Sequence, residues 1–157
     1  MHAYIRKGKK KDVEAALGLI RELARFEKAP REVAVSKAEM IKWGFGKEKA
    51  FDFFVLELSN EIVGIALFYY KYSTWKGKCL FLEDLIVTKK HRGKGFGKIL
   101  FEEVVKVAKK EKVRRMEWQV LEWNKPAIGF YKKYNSLFDR EWLNCKFTDK
   151  QLQSLHL

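Results

Sequence analysis

Between Phe81 and Lys98 the chain carries a carboxylate pair, Glu83-Asp84, followed by three glycines, Gly93, Gly95 and Gly97. Around the glycines stand Lys89, Lys90, Arg92, Lys94 and Lys98, with no acidic residue among them. Glycine lets a backbone approach an anion closely, and the first turn of a helix aims unpaired N–H groups at it. The apolar positions after Ile99 recur at helical spacing, and those before Val87 read as a strand. The stretch is therefore a strand, an anion loop and a helix, a phosphate cradle beside two carboxylates that can accept protons.

Spacing narrows the kind of cradle. A Walker loop requires Gly-x-x-x-x-Gly-Lys-Ser/Thr, but Arg92 stands where the first glycine belongs and Ile99 where the hydroxyl belongs. A dinucleotide fingerprint requires a third glycine where Lys98 stands, and no acidic residue about 20 positions on closes a ribose site within a βαβ unit. The pattern that fits is Arg-x-x-Gly-x-Gly, formed by Arg92, Gly95 and Gly97.

The elements that must position these groups follow from periodicity. His2 to Arg6 reads as a strand. Asp12 can cap a helix carrying Val13, Ala16, Leu17, Ile20, Leu23 and Ala24 on one face, ending near Phe26 before the Pro30 loop. Ser36 and Glu39 form a capping box for a short helix through Lys42, stopped by Gly44-Phe45-Gly46. Phe51–Leu58 and Ile62–Tyr72 read as a hairpin, and Cys79–Val87 completes a meander into the loop. A helix follows from Gly97 to Lys110, burying Leu100, Val104, Val107 and Ala108. Then come a strand from Arg115 to Glu122, a helix opened by Asn124-Lys125-Pro126 and running to about Tyr134, and a last strand from Trp142 to Phe147.

With 157 residues and no internal linker, residues 1–157 read as a single α+β domain around one sheet. At 47% hydrophobic and 34% charged, the composition is that of a compact soluble protein. No apolar run reaches membrane-spanning length, and the basic N-terminus has no apolar segment behind it, so a cytoplasmic location is expected. Cys79 and Cys145 are too few for a disulfide framework, and scattered His2, His91 and His156 form no metal set, so two reduced core thiols, three surface imidazoles and no metal are expected. The net charge of +13 gathers at Arg6–Lys11, Lys89–Lys98 and Lys106–Arg115. A nucleic-acid-binding module is the non-enzyme reading of those blocks, but the middle one coincides with the glycine loop, where a small diphosphate explains it.

The Arg92/Gly95/Gly97 pattern resembles the central motif of the GNAT superfamily of N-acetyltransferases, which wraps the pyrophosphate of acetyl-coenzyme A. The likeness extends through Glu22-Leu23-Ala24-Arg25-Phe26-Glu27-Lys28, Trp43-Gly44-Phe45-Gly46, Tyr69 to Gly77, Leu82-Glu83-Asp84 and Glu122-Trp123-Asn124. In that order they resemble the diamine (spermidine/spermine) N1-acetyltransferase branch over nearly the whole chain. Polyamine enzymes of the branch carry Tyr-Asp-Pro-Trp where this chain has Tyr72-Ser73-Thr74-Trp75. That difference, with Phe26-Glu27-Lys28, brings the chain nearest the thialysine N-ε-acetyltransferases.

The resemblance implies a GNAT-like fold, a mixed and mostly antiparallel sheet flanked by helices. It also implies an acetyl-CoA-dependent transfer of acetyl to the primary amine of a small diamine or lysine-like acceptor. An alkylammonium of pKa about 10.4 must lose a proton before it attacks, and Glu83 matches the family's base, acting through water. Asp84, its neighbour, points to the opposite face if the strand is regular. Tyr131 matches the general acid that protonates the departing thiolate. By the same resemblance Leu85, Ile86 and Val87 offer backbone groups to the pantetheine arm. Arg92, Gly93, Lys94, Gly95, Phe96, Gly97 and Lys98 hold the pyrophosphate, and Asn124, Lys125, Pro126, Ala127 and Tyr134 are further coenzyme contacts. Phe26, Glu27, Glu83, Asp84, Glu117, Trp118 and Gln119 match acceptor-site positions. On residue type alone Glu83 also reads as an exposed strand carboxylate, Tyr131 as part of a Phe130/Tyr131/Tyr134 packing stripe, Phe26 as core and Glu117 as strand surface. Transfer is expected to be direct, since neither cysteine sits at the cradle. The branch is homodimeric, so a homodimer is implied, and a protein or peptide lysine acetyltransferase is the second enzymatic reading.

Overall fold

The computed structural model describes residues 3–156, so the His2 end of the expected first strand and the His2 imidazole lie outside the described residues. The backbone forms two compact units, residues 3–119 and 120–156. The first holds β1 (Ala3–Lys7), α1 (Val13–Phe26), α2 (Lys37–Phe45), β2 (Asp52–Leu58), β3 (Glu61–Ser73), β4 (Gly77–Val87), α3 (Phe96–Lys110) and β5 (Met116–Trp118). The five strands form one sheet in the order β1-β2-β3-β4-β5, antiparallel up to β4 and parallel between β4 and β5. This is the mixed sheet expected, with both faces covered.

Alternation along β2 and β3 assigns the faces. Phe53, Val55, Ile65 and Leu67 pack with Val13, Ala16, Leu17 and Leu19 of α1 and Met40 of α2. On the other face α3 buries Leu100, Phe101, Val104 and Ala108. Gly64 permits its close approach, because a Cβ there would lie 2.9 Å from the Leu100 side chain. Phe101 joins this core alongside the residues expected from periodicity, while Val107 is only half-buried.

Three local expectations are corrected in this unit. Asp12 sits at the start of α1 but does not cap it: its carboxylate takes Arg6 Nη1 at 2.6 Å, Arg6 Nη2 at 3.0 Å and the Lys9 amide at 2.7 Å. A partly buried guanidinium, also bonded to Glu57 on β2, outcompetes helix amides for that buried carboxylate. The Ser36/Glu39 capping box forms, yet α2 runs on through Gly44 to Phe45 because Gly44 is buried in the helix against Phe51. The strand expected from Arg115 to Glu122 shortens to Met116–Trp118, the only stretch with a ladder partner on β4.

The second unit holds α4 (Lys125–Lys132) and α5 (Asp149–Ser154). The expected last strand, Trp142–Phe147, does not form: the backbone there is irregular, and Trp142 and Leu143 are 71% and 87% exposed. Thr148 and Gln151 instead form a capping box that starts α5. Of the two thiols, Cys79 is buried as expected, but Cys145 is exposed. Among the described residues no helix is long and apolar enough to cross a membrane.

Candidate functional site

The glycine loop joins β4 to α3. Thr88 leads into a single 3-10 turn, Lys89–His91, after which Gly93 and Gly95 take φ of +76° and +81°. Those left-handed values are costly for a residue with a Cβ, and Gly95 there opens α3 directly. Phe96, Gly97 and Lys98 occupy the first turn, so their amides have no helical acceptor. Among the described residues the six amides from Gly93 to Lys98 find no hydrogen-bond acceptor. A Cβ placed on Gly93, Gly95 or Gly97 would meet no atom within 4 Å, so the loop is open at each glycine. Six donors, a helix start and an open approach fit a diphosphate. The lysines of the loop are exposed and loosely held, Lys90 by Glu61 at 2.8 Å and Lys98 by Glu102 at 3.9 Å, while Lys94 Nζ lies 3.4 Å from His91 Nδ1.

Arg92 is engaged within the protein. Its Nε donates to the Val87 carbonyl at 2.9 Å, its Nη2 lies 3.5 Å from Glu22, and its guanidinium sits 5.1 Å from the centre of the Phe26 ring. Glu22, on α1, also accepts from the Thr88 hydroxyl at 2.9 Å and the Lys89 amide at 2.8 Å. Phe26 is correspondingly at the surface and not in the core.

Upstream of the loop, β4 departs from regular alternation. Leu67 lies opposite Asp84 and Phe68 opposite Leu82, leaving Glu83 without a partner on β3, a β-bulge. Asp84 takes the face of Leu67 and α1, and the extra residue brings Glu83 toward the same face, where regular alternation would have sent the two apart. Three groups register the result. The Asp84 carboxyl is pushed up to about 7, first by burial and then by the charges of Glu83 and Glu27. The Glu27 carboxyl, just past the end of α1, is raised by withdrawal from water and by Glu83. The Tyr69 phenol is raised by burial, by the charge of Glu83 and by a hydrogen bond to it. Glu27, Glu83, Asp84 and Tyr69 therefore form one acidic cluster that favours a positive charge or a shared proton.

β5 pairs with β4 only at Leu80, Phe81 and Leu82. From Glu83 through Val87 no strand lies along that edge of β4 among the described residues, so Leu85, Ile86 and Val87 stand where the sheet opens. Glu117 is already paired, with Lys71 at 2.9 Å and Arg115 at 3.4 Å, Trp118 packs edge-on against Phe101, and Gln119 is exposed. Of these three, Glu117 acts on the cluster through its charge, which helps to raise the Tyr69 phenol.

In the second unit the Asn124 side chain accepts from the Ala127 amide at 3.3 Å and starts α4, with Lys125 and Pro126 in its first turn. Tyr131 is buried, and burial pushes its phenol up to about 12. Its ring meets Phe130 edge-on, as does that of the partly exposed Tyr134, so the aromatic stripe is real whatever else Tyr131 does. Among the described residues no three His, Cys, Asp or Glu side chains are placed to hold a metal ion.

Sequence reasoning missed two members of this arrangement. Glu22 lay within a quoted stretch with no role attached, and Tyr69 reads from sequence as one more strand aromatic. The signal for Glu22 was available: α1 has a carboxylate on the turn before Phe26 and Glu27, four and five residues upstream of them.

The model of the acetyltransferase (GNAT) family matches residues 17–135. A thialysine N-ε-acetyltransferase of Mus musculus is 33% identical over 162 aligned positions, covering 96% of this chain and 95% of that protein. One of Caenorhabditis elegans is 38% identical over 118 positions, covering 75% of this chain and 72% of that protein. Among solved structures, an integron cassette protein from the mobile metagenome of V. cholerae superposes with a TM-score of 0.79 at 22% identity, covering 98% of this chain and 96% of the other, a likeness of fold.

Proposed function

This chain belongs to the acetyltransferase (GNAT) family and is an N-acetyltransferase, and on that premise we propose that its acceptor is the primary amine of a small lysine-like molecule of the thialysine type. The observation that carries the reading is the bulge at Glu83, which brings Glu83 and Asp84, on the strand leading directly into the anion loop, together with Glu27 at the end of α1. On a chain of net charge +13, such a cluster is where a small cation is drawn. The names of the Mus musculus and Caenorhabditis elegans relatives support thialysine, and Ser73-Thr74-Trp75 agrees with them.

GNAT acetyltransferases use acetyl-CoA, which when bound supplies the thioester carbonyl that the amine attacks. In this chain the amides of Gly93 to Lys98 receive the diphosphate, with Lys94 and Lys98 adding charge. The open edge of β4 at Leu85, Ile86 and Val87 presents backbone groups to the pantetheine arm and an N–H toward the developing oxyanion. Asn124, Lys125, Pro126, Ala127 and Tyr134 complete the coenzyme side. Glu83 takes the ammonium proton through water, and Glu27 and Asp84 attract and orient the cation. Phe26, Trp118 and Gln119 border the acceptor, with Glu117 beside them held by Lys71. Tyr131, kept protonated by its raised pKa, returns a proton to the departing thiolate.

The same reading takes residues 1–157 as one acetyltransferase domain, supported by a family match that runs from residue 17 to 135. It takes the protein as cytoplasmic and free of metal. It also takes it as a homodimer, supported by the exposed apolar side chains of Leu137, Trp142, Leu143 and Phe147.

The test is release of CoA thiol by purified protein with thialysine, lysine, putrescine, spermidine, spermine and a lysine peptide. Turnover led by thialysine, with sequential kinetics, is the expected result. Turnover led by spermidine overturns the acceptor assignment, turnover led by the peptide moves the protein to the lysine-peptide class, and a ping-pong pattern overturns direct transfer.

A further inference from the structure

The carboxylate of Glu22 lies at the threshold of a loop that must hold an anion, where a negative charge opposes binding. It is nevertheless spent on the loop: Oε2 takes the Thr88 hydroxyl at 2.9 Å, Oε1 takes the Lys89 amide at 2.8 Å, and Arg92 Nη2 stands 3.5 Å away. Together these contacts hold the chain between the last residue of β4 and the first glycine. Arg92 continues the restraint by donating Nε to the Val87 carbonyl, five residues back. The guanidinium that sequence places among the phosphate ligands is thus tethered at Nε, beside Glu22, while its side chain stays partly exposed.

We propose that Glu22 is the positioning residue of the coenzyme loop: through Thr88, Lys89 and Arg92 it sets the path from which the amides of Gly93 to Lys98 emerge unpaired, without touching the coenzyme itself. The inference rests on the acetyl-CoA reading above. A preset loop loses less conformational freedom on binding, so removing the restraint weakens affinity without altering the groups that perform the transfer. Because Arg92 also lies over the ring of Phe26, the same restraint fixes the end of α1, which carries Phe26 and Glu27.

The experiment is calorimetric titration of the full chain with CoA, which requires no turnover, for the wild type, Glu22→Gln, Glu22→Ala and Thr88→Val. Glu14→Ala serves as control, a substitution elsewhere on α1 where an exposed carboxylate meets Lys37. Glu22→Ala is expected to weaken CoA binding about tenfold or more, Glu22→Gln and Thr88→Val by smaller factors, and Glu14→Ala by less than about twofold. In steady state the KM for acetyl-CoA should rise in step with the CoA Kd, while kcat at saturation stays within about threefold of wild type. A merely structural residue would lower kcat and melting temperature together and leave the KM ratio unmoved. CoA affinity within about twofold of wild type in both Glu22 variants overturns the proposal. Should Glu22→Ala not fold, Glu22→Gln and Thr88→Val carry the same comparison. A wild-type chain that binds no CoA overturns the coenzyme reading itself, a result distinguishable from loss confined to the variants.

Discussion

Two glycines of the anion loop, two residues apart, should respond to the same substitution with opposite signs. Gly95 has φ +81° and Gly97 lies in the first turn of α3, and a Cβ on either meets nothing within 4 Å. Space is therefore equal at the two sites and only backbone conformation differs. At Gly95 an alanine must adopt the left-handed region, costing about 1–2 kcal/mol. At Gly97 it replaces a glycine in helical conformation and gains about 0.5–1 kcal/mol. For a chain of this length each kcal/mol moves the melting temperature by about 2–4 °C, so Gly95→Ala should melt about 2–8 °C lower and Gly97→Ala about 1–4 °C higher than wild type. The assay is thermal unfolding without ligand, repeated at saturating CoA. For Gly95→Ala the backbone must also leave the path that presents the six amides, and CoA affinity should fall about tenfold, or about 1.4 kcal/mol. Equal melting shifts for the two variants would refute the conformational argument. A destabilised Gly95→Ala that binds CoA as tightly as wild type would refute the link between that φ and the cradle.

Three further outcomes follow from the titrating groups. Asp84 is raised from 3.8 to about 7, so the folded state binds its proton more tightly than the unfolded chain, and the wild type loses stability as pH rises between those values. After discounting for its half-buried position, Asp84→Asn should be more stable than wild type at pH 8 by about 1–3 kcal/mol, a gap that closes toward pH 4, while kcat/KM for the amine falls; a gap independent of pH contradicts the assignment. Tyr131→Phe keeps the ring contacts with Phe130 and removes the proton, so kcat should drop by about 10²–10⁴ with unfolding little changed; a loss under threefold removes Tyr131 from the chemistry. The Asp12 carboxyl is held below its ordinary 3.8 by hydrogen bonds from Arg6, so its contribution is present above that value and disappears as pH falls through the depressed one. Asp12→Ala leaves Arg6 with Glu57 as its one carboxylate partner and should cost about 3–5 kcal/mol in urea unfolding at pH 7, a penalty that shrinks in acid.

Sequence made the frame legible where local and tertiary preferences agree. The meander of β2, β3 and β4, the amphipathic faces of α1 and α3, the Ser36/Glu39 capping box and the glycine loop all appear within a few residues of their expected limits. It was less informative where a partner far along the chain decides. Asp12 has the side chain of a helix cap, and only the fold brings Arg6 and Glu57 to it. Trp142 to Phe147 has the composition of a strand, but a strand also needs a partner in register, which composition does not state. In the site, residue types and order pointed to the cradle and to Glu83. The relation of Glu83 to Asp84 was not legible, because a bulge depends on the register of two strands, which neither strand states alone. Arg92 likewise reads as a phosphate ligand, and its contacts with Glu22 and Phe26, far back along the chain, were not legible.

The bulge also separates two demands that strands ordinarily impose on the same residues. Leu82 and Leu85, three positions apart, share a face of the sheet, so β4 behaves as two short strands of opposite parity joined at a slip, and the slip is Glu83. A residue with no cross-strand partner is released from the pairing preferences that constrain its neighbours. Its side chain can change in length or charge while the leucines on either side keep their seats. The scaffold thus keeps one position on the path to the anion loop where a side chain can change without a change of register.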